Sequence, residues 1–417
     1  MTKALVAIDA DVFYQGPDGR VYTQSVATYD DYWTIPRSSF DQLIVVTRFL
    51  KLDELDDSWS FADGDGVTFQ FVPFYRGPIQ FFSALNRIRA VLEAALEDCD
   101  VLLCNGPGNI SAVGIDLAQK MNKLYAIDVT TDPYDVFAPG AFKHPLRPLF
   151  RQWISRRLQH QCKNACAINY VTKHALQCHY PPPSNALTAG ISAVNLPDEA
   201  FVSSPRCFQQ KVDRFTLITV GTLAQLYKAP DILIEAVAIC ILEGLDLELI
   251  LIGDGKHREE LEVRVNELGL QKRVFFQGQL PAGAAIRQQL DKADLFVLPS
   301  YQEGLPKAMV EAMARALPCI GSTVGGIPEL LPSEDLVPPG NVNALAKKIR
   351  EIVTDVDRMN QMSTRNLEKS KEYKREIIRE QRIRFFRGIN RRVIEHLKDK
   401  KQNVQAIDFE LRNSTKL

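Results

Sequence analysis

The sequence predicts an α/β protein built from two halves that face each other across a cleft, and three observations indicate this. The chain has 417 residues, more than one hydrophobic core usually serves. Short runs rich in β-branched residues alternate with helical patterns, which is typical of a parallel sheet covered by helices. The alternation stops at residues 181–211, which are rich in proline and serine, and then begins again.

The first half of the chain is predicted to alternate strands and helices. Helices are predicted at 84–98 and 110–122, and between and around them lie strand patterns at 4–8, 43–49, 101–105, 124–130 and 167–172. The second half repeats the scheme with FTLITVGTL, LELILIGDG, VFFQGQL and LFVLPSY as strands. We therefore predict a first domain at 1–190, a linker at 191–213, a second domain at 214–375, and at 376–417 a helix that packs back on the body, with its tail.

Composition and charge exclude several classes of protein. The 50 Lys and Arg residues nearly balance 51 Asp and Glu, so no overall attraction to nucleic acid is expected. The start, MTKALVAIDADVFY, predicts a strand and not a signal peptide, and no run of about 18 apolar residues predicts a membrane span. Eight cysteines without dense pairing fit a reducing compartment, so the expected location is cytoplasmic.

The most informative stretch is SYQEGLPKAMVEAMARALPCIGSTVGGIPELL at 300–331. A buried strand at 295–300 is followed by YQEG and then by a helix with Pro306 in or near its first turn, a position where the missing N–H of proline costs little. The start of a helix offers free N–H groups and a positive dipole end. Since Gly304 has no Cβ, a phosphate group could approach the backbone there closely.

Two glutamates lie eight positions apart in this stretch. Glu303 is at the mouth of the helix, and Glu311 is about 7–8 Å further along the axis. Carboxylates accept hydrogen bonds from paired hydroxyls, so the two could hold the sugar rings on either side of a diphosphate. The alternative is structural, with Glu303 capping the helix and Glu311 pairing with Lys307 on its surface.

The segment from Glu303 to Glu311 resembles the E-x7-E motif of retaining family 4 glycosyltransferases. Members of that family have the GT-B fold, in which two Rossmann-like domains face each other across a cleft. VGTLAQLYKAPDILIEAV at 220–237 and LILIGDGKHREEL at 249–261 are similar to further elements of the family. The resemblance covers most of the chain.

The resemblance implies a role for each matching residue. Glu303 would hold hydroxyls of the donor sugar, Glu311 the ribose of the nucleotide, and Lys228 would neutralise the diphosphate. One departure from the family is Thr222, where an arginine is common. The resemblance also implies that the backbone of Gly304 and Leu305 contacts phosphate. The loop of Gln277, Gly278 and Gln279 would flank the base.

The first half offers weaker candidates. Gly16 and Gly19 lie in a loop after the first strand that could cover the donor phosphate or the acceptor, or could form an ordinary turn. Asp132, after a buried strand, is our candidate for a polar contact to the reacting sugar, and the alternative is that Asp132-Pro133 simply opens a turn.

Two further patterns bear on metals and membranes. Residues 143–163 carry six Lys or Arg, no acid and interleaved aromatic residues, which predicts a peripheral contact with an anionic membrane, or else a solvated face. Four Asp-x-Asp pairs occur in unrelated contexts, and the histidines and cysteines of 160–179 lack zinc-ligand spacing. No metal or other cofactor is predicted.

The resulting hypothesis is a retaining glycosyltransferase. It would move a hexose from a UDP- or GDP-linked donor to a glycan or lipid-linked acceptor, in cell-envelope or exopolysaccharide synthesis. A nucleotide-sugar epimerase of the same fold is the nearest alternative. A nicotinamide-dependent oxidoreductase or a non-catalytic nucleotide-binding module would depend on LILIGDG, which lacks the third glycine of a dinucleotide loop.

Overall fold

The structure is a computed structural model that describes residues 1–9, 13–25, 27–56, 58–136, 146–209 and 214–414. Its first domain contains a seven-stranded sheet in the order β11-β10-β9-β8-β1-β4-β7, with every pair parallel. A four-stranded sheet, β5-β2-β3-β6, lies beside it. The strands are β1 (Lys3–Ala7), β2 (Tyr14–Gln15), β3 (Val21–Thr23), β4 (Gln42–Arg48), β5 (Leu50–Lys51), β6 (Ser60–Phe61), β7 (Val67–Val72), β8 (Val101–Gly106), β9 (Leu124–Val129), β10 (Ala167–Tyr170) and β11 (Leu187–Gly190).

Helices cover both faces of the large sheet. On one face α2, α3 and α5 share a core with the strands, centred on buried residues such as Leu92, Val113 and Leu158. On the other face Trp33 and Phe40 pack with residues from the end of the chain. The helices of this domain are α1 (Thr34–Arg37), α2 (Gly77–Glu97), α3 (Asn109–Lys120), α4 (Pro133–Val136), α5 (Arg147–Lys163) and α6 (Ala175–His179).

The second domain contains a six-stranded sheet in the order β14-β13-β12-β15-β16-β17, again parallel throughout. Its central strands are almost wholly apolar because helices bury them on both faces. Its elements are β12 (Phe215–Val220), α7 (Pro230–Leu242), β13 (Leu247–Ile252), α8 (Arg258–Glu267), β14 (Val274–Gly278), α9 (Ala284–Lys292), β15 (Leu295–Leu298), α10 (Lys307–Ala314), β16 (Cys319–Ser322), β17 (Leu336–Val337), α11 (Val342–Val353) and α12 (Val356–Ser370).

The last helix, α13 (Arg375–Ser414), returns to the first domain. Its residues Ile389 and Val393 are fully buried against the large sheet. The segment that connects the two domains is held to the second domain, because the guanidinium of Arg206 donates hydrogen bonds to the carbonyls of Leu290 and Arg315.

The α/β architecture with two parallel sheets is confirmed. The sequence did not indicate the four-stranded sheet, whose strands have only two or three residues each. All eight cysteines are free thiols. Within the described residues, no helix has both the length and the apolar character that a bilayer span requires.

Candidate active site

The loop between β15 and α10 forms the centre of the site. β15 is fully buried, and α10 is anchored by apolar side chains including Met309 and Met313, so both ends of the loop are held in place. Pro306 is the residue immediately before the first turn of α10, and its extended backbone directs the loop into the helix. Glu303 lies in this loop with its side chain almost entirely buried.

The carboxylate of Glu303 is paired with Lys228. The ammonium of Lys228 lies 2.6 Å from Oε1 of Glu303, and the hydroxyl of Ser300 donates to the same oxygen at 2.8 Å. Lys228 lies at the end of a short helical turn before α7, and its stem passes Gly221 so closely that a Cβ there would lie 3.1 Å from Cγ of Lys228. We predicted Lys228 and Glu303 as site residues from the sequence, but not their ion pair or the hydrogen bond from Ser300 to Glu303.

Glu311 lies on α10, one turn after Lys307, with its carboxylate 3.6 Å from that ammonium. Burial raises the pKa of Glu311, and the charge of Lys307 offsets part of that rise. The ion pair that we considered as the structural alternative is therefore present. It is compatible with a binding role, since most of the Glu311 side chain is buried while Lys307 is exposed.

A pair of glycines supports the loop from behind. The N–H of Gly326 donates to the carbonyl of Gly304 at 2.6 Å, and a Cβ on Gly325 would collide with the carbonyl of Glu303. Gly325 has a φ of +51°, which glycine adopts readily. The adjacent glycines in VGGIPE are the sequence signal for this close approach, from which we made no prediction.

The first domain faces this loop directly. A Cβ on Gly304 would lie 3.0 Å from the carbonyl of Thr130, at the carboxyl end of β9. The carboxylate of Glu329, from the second domain, accepts hydrogen bonds from the backbone N–H groups of Lys173, His174 and Ala175 at 2.6–2.9 Å. These three N–H groups lie before or in the first turn of α6, where no carbonyl of the helix can accept from them. Glu329 accepts from all three and so links the second domain to the first.

Asp132 is buried and its oxygens are engaged within the first domain. Oδ2 lies 2.6 Å from Nδ1 of His179, while Oδ1 accepts from the hydroxyl of Tyr180 at 2.5 Å and from the N–H of Tyr134 at 2.8 Å. The hydrogen bond from the N–H of Tyr134 is the one expected if Asp132-Pro133 opens a turn, which was our alternative to a contact with the sugar. Sequence reasoning missed His179, whose half-exposed imidazole is the group that Asp132 orients.

The remaining donor-side candidates lie at the carboxyl ends of their strands, where ligands of parallel sheets bind. Thr222 is exposed and accepts from the N–H of Ala224, and Gly278 accepts from the N–H of Gly253. Leu305 packs against the core of the second domain. Gln277 and Gln279 are exposed on either side of Gly278.

The glycines of LILIGDG have a packing role. A Cβ on Gly253 would collide with the carbonyl of Gly221, and one on Gly255 would collide with the N–H of Ala224. This turn is therefore filled by backbone of its own domain. The observation weakens the dinucleotide-loop alternative.

Gly16 and Gly19 form the turn of the β2–β3 hairpin, in which Gly16 donates to Arg20 and Gly19 to Gly16. The ordinary turn that we considered is the observed backbone, and no described contact joins it to the loop of Glu303. Residues 143–145 of the basic segment lie outside the described residues, and residues 147–163 form the whole of α5. Across the described residues, no three His, Cys, Asp or Glu side chains converge on a metal position.

The fold and the site together define the class. The chain has the GT-B fold, with two Rossmann-like domains facing across the cleft that holds Glu303. A solved structure with this fold is that of HepE from Anabaena in complex with UDP, with a TM-score of 0.62 and 17% identity, covering 96% of this chain and 100% of that chain. Such identity shows the fold alone.

Sequence comparison identifies similar proteins. Residues 214–355 match the model of the glycosyl transferases group 1. Protein CapJ of Staphylococcus aureus is 24% identical over 325 residues, covering 77% of this chain and 80% of that protein. The 2-deoxystreptamine glucosyltransferase of Streptomyces kanamyceticus is 27% identical, with 68% and 78% covered. The putative colanic acid biosynthesis glycosyltransferase WcaL of Escherichia coli is 30% identical over 155 residues, with 35% and 38% covered.

Proposed function

We propose that this protein is a retaining glycosyltransferase that moves a hexose from a UDP- or GDP-linked donor. The observation that carries the proposal is the buried pair of Lys228 and Glu303 beside the start of α10. It places a cation, a carboxylate and the first backbone N–H groups of α10 next to one another, and these are the groups that an anionic diphosphate and a hydroxylated ring require. UDP is favoured over GDP because the similarly folded HepE is described as a complex with UDP.

In this proposal each donor-side residue has one task. Lys228 and the backbone of Gly304 and Leu305 hold the diphosphate, and Glu303 holds hydroxyls of the hexose. Glu311 accepts from the ribose. The exposed loop of Gln277, Gly278 and Gln279 flanks the base, and Thr222 lies next to the phosphates without a positive charge.

The reaction exchanges one bond to the anomeric carbon for another on the same face of the sugar. The bond from this carbon to the phosphate oxygen breaks, the acceptor hydroxyl oxygen bonds to the carbon, and the hydroxyl proton leaves with the nucleoside diphosphate. Negative charge grows on the leaving phosphate, where Lys228 and the start of α10 stabilise it. No protein nucleophile is assigned.

The acceptor side is assigned to residues 1–190, with 191–213 as linker, 214–375 as donor domain and 376–417 as the returning helix and tail. Asp132 contributes there by orienting His179 toward the reacting sugars. The acceptor would be a glycan or a lipid-linked sugar in cell-envelope or exopolysaccharide synthesis, supported by WcaL and its role in colanic acid. We place the protein in the cytoplasm, in peripheral contact with the inner face of the membrane through 143–163.

The test is product analysis with UDP-, GDP- and ADP-linked hexoses, each with and without saccharide acceptors. We expect free UDP and a new glycoside of retained anomeric configuration when acceptor is present. An isomerised nucleotide sugar without any transfer would contradict the proposal and indicate the epimerase. Thermal stabilisation by one nucleoside diphosphate over the others would identify the base.

A further inference from the structure

A row of polar side chains crosses the face of the large sheet that α13 covers. Asn105, Asp128 and Asn169 are register partners on the neighbouring strands β8, β9 and β10, so their side chains point to the same face of the sheet. The residues two positions earlier on these three strands are apolar members of the core beneath α13. Asn169 is satisfied within the protein, because its amide donates to Oδ1 of Asp128 at 2.8 Å and its oxygen accepts from the N–H of Ile191. Polar groups at such a position are costly unless they bind something, so the rest of the row needs a partner.

A cavity lies in front of this row, between the sheet and α13. Its volume is about 50 Å³, whereas a single water molecule needs roughly 10–15 Å³. Its polar lining includes Asp128, Tyr32 and Arg382, and its apolar lining includes Trp33 and Phe385. Apolar and aromatic walls with a few polar groups are typical of a pocket that binds a small molecule.

A second cavity, of about 100 Å³, adjoins the first and is lined by the start of α13. Arg382 lines both cavities, and Arg375 and Arg379 line the outer one. The three arginines lie three or four positions apart on a single face of α13. Asp31 is an acid in the same lining, and its Oδ2 accepts from the hydroxyl of Thr28. The outer cavity therefore carries an excess of positive charge, which suits an anionic group of a ligand.

The charged side chains of the two cavities are not used in ion pairs within the described part of the chain. None of the ion pairs found there includes Asp128, Arg375, Arg379 or Arg382. Among the described residues, Nε of Arg382 is buried without a hydrogen-bond partner, while its Nη2 donates to the carbonyl of Ser192 at 3.2 Å. Burial raises the pKa of Asp128, and the positive charge of Arg382 offsets only part of that rise. A buried guanidinium nitrogen with nothing to donate to indicates that an acceptor from a ligand belongs there.

We infer that the two cavities form one binding site for a small anionic saccharide, separate from the cleft that holds Glu303. The three arginines bind its phosphate or carboxylate, Asp128 accepts from its hydroxyls, and the aromatic walls pack against its ring. Because α13 and the face of the sheet enclose this site, the bound saccharide is an effector and is not consumed. It contacts the first turns of α13 and the linker at Asn195, where the chain passes between the domains, so its binding stabilises one arrangement of the two domains. The inference does not depend on the identity of the donor sugar.

The experiment is calorimetric titration of the full-length protein with glucose 6-phosphate, glucuronate, glucose and inorganic phosphate, each with and without saturating UDP. We expect glucose 6-phosphate or glucuronate to bind whether or not UDP is present, and to bind more weakly as salt is raised. The tighter of the two identifies the anionic group as phosphate or carboxylate. Glucose and inorganic phosphate should bind at least about tenfold more weakly, because each carries only part of the recognised groups.

Two variants test the two ends of the site. R375A/R379A removes two exposed arginines and should lower the affinity for the anionic saccharide by about tenfold or more. D128N should lower it too, but should leave the weak binding of inorganic phosphate unchanged. The matched control is R384A/R387A, which removes the same charge from exposed positions of α13 that line neither cavity, and it should bind like wild type.

Several outcomes would overturn the inference. These are no binding of either anionic saccharide, full binding by R375A/R379A, or an equal loss in the control variant. Competition with UDP would instead place the ligand in the donor cleft, and transfer of a hexose onto it would make it an acceptor. The titration measures binding and not turnover, so its result is independent of the product analysis that tests the proposed function.

Discussion

The ammonium of Lys228 lies 2.6 Å from the carboxylate of Glu303, although 75 positions separate the two residues in the chain. Both side chains are largely buried, so each relies on the other to compensate for its lost hydration. A bound diphosphate would add anionic charge to the same ammonium. Removing either partner therefore affects stability and donor binding together, and the two effects need separate measurements.

The stability effect is tested with a double-mutant cycle. Lys228→Ala leaves the carboxylate of Glu303 buried without its cation, and we expect it to lower the free energy of unfolding by about 3–5 kcal/mol. The double variant K228A/E303Q should recover part of that loss because the uncompensated charge is gone. Urea unfolding at pH 7 measures both, and equal losses in the single and double variants would contradict the pairing.

The catalytic effect is tested with Glu303→Gln, which keeps the size of the side chain. We expect turnover of the nucleotide sugar to fall by at least about 100-fold, because an amide accepts hydroxyl hydrogen bonds less well and carries no charge. Circular dichroism should show a folded protein. The matched control is Glu334→Gln on an exposed turn, and activity of E303Q close to that of this control would remove Glu303 from the site.

The pH dependence of stability is a test of Glu311. Its pKa is raised in the folded protein, so folding favours the neutral acid, and stability falls as pH rises from the ordinary glutamate pKa through the folded pKa. Glu311→Gln should therefore raise the free energy of unfolding at pH 7 and have little effect at about pH 4 and below.

The same variant should bind UDP more weakly, because an amide replaces the carboxylate proposed to hold the ribose. Calorimetric titration with UDP measures this, and the exposed Lys307→Ala controls for loss of the surface ion pair alone. A more stable protein with unchanged UDP affinity would assign Glu311 to structure only.

Domain closure depends on Glu329. Its carboxylate accepts three backbone hydrogen bonds from the first domain, and hydrogen bonds to a charged group contribute about 1.5–3 kcal/mol each. Glu329→Ala should increase the radius of gyration measured by small-angle scattering and lower turnover while each domain stays folded. E334A should leave both unchanged, and a compact E329A protein would show that other contacts hold the domains.

Local patterns in the sequence were enough to predict the backbone of the loop that contains Glu303. A buried strand, a glycine and a proline at a helix start specify the backbone between 295 and 311, and the structure has that backbone. The contacts of Glu303 with Lys228 and of Asp132 with His179 join residues 75 and 47 positions apart. Such contacts depend on how strands are ordered in the sheets, which residue spacing does not encode.

The starts of helices were predicted less well for a related reason. α2 was expected at 84–98, but in the structure it begins at Gly77. Its first two turns were not predicted because they have few buried residues and so show no apolar periodicity. The same exposure hid Ile79 and Phe82, which are 84% and 67% exposed in the structure. The turn at Gly16 and Gly19 was one of the two alternatives, but the short strands on either side of it were not predicted because they are too short to alternate.

The return of α13 to the first domain has a consequence during synthesis. Ile389 and Val393 close the face of a sheet whose last strand ends at Gly190, so that face stays open while the ribosome makes the entire second domain. The nascent first half must remain soluble with Trp33 and Phe40 incompletely covered. A fragment that stops after the first sheet is thus a poor starting point for expression, whereas a circular permutant that joins α13 directly to Met1 would let this half fold as it emerges.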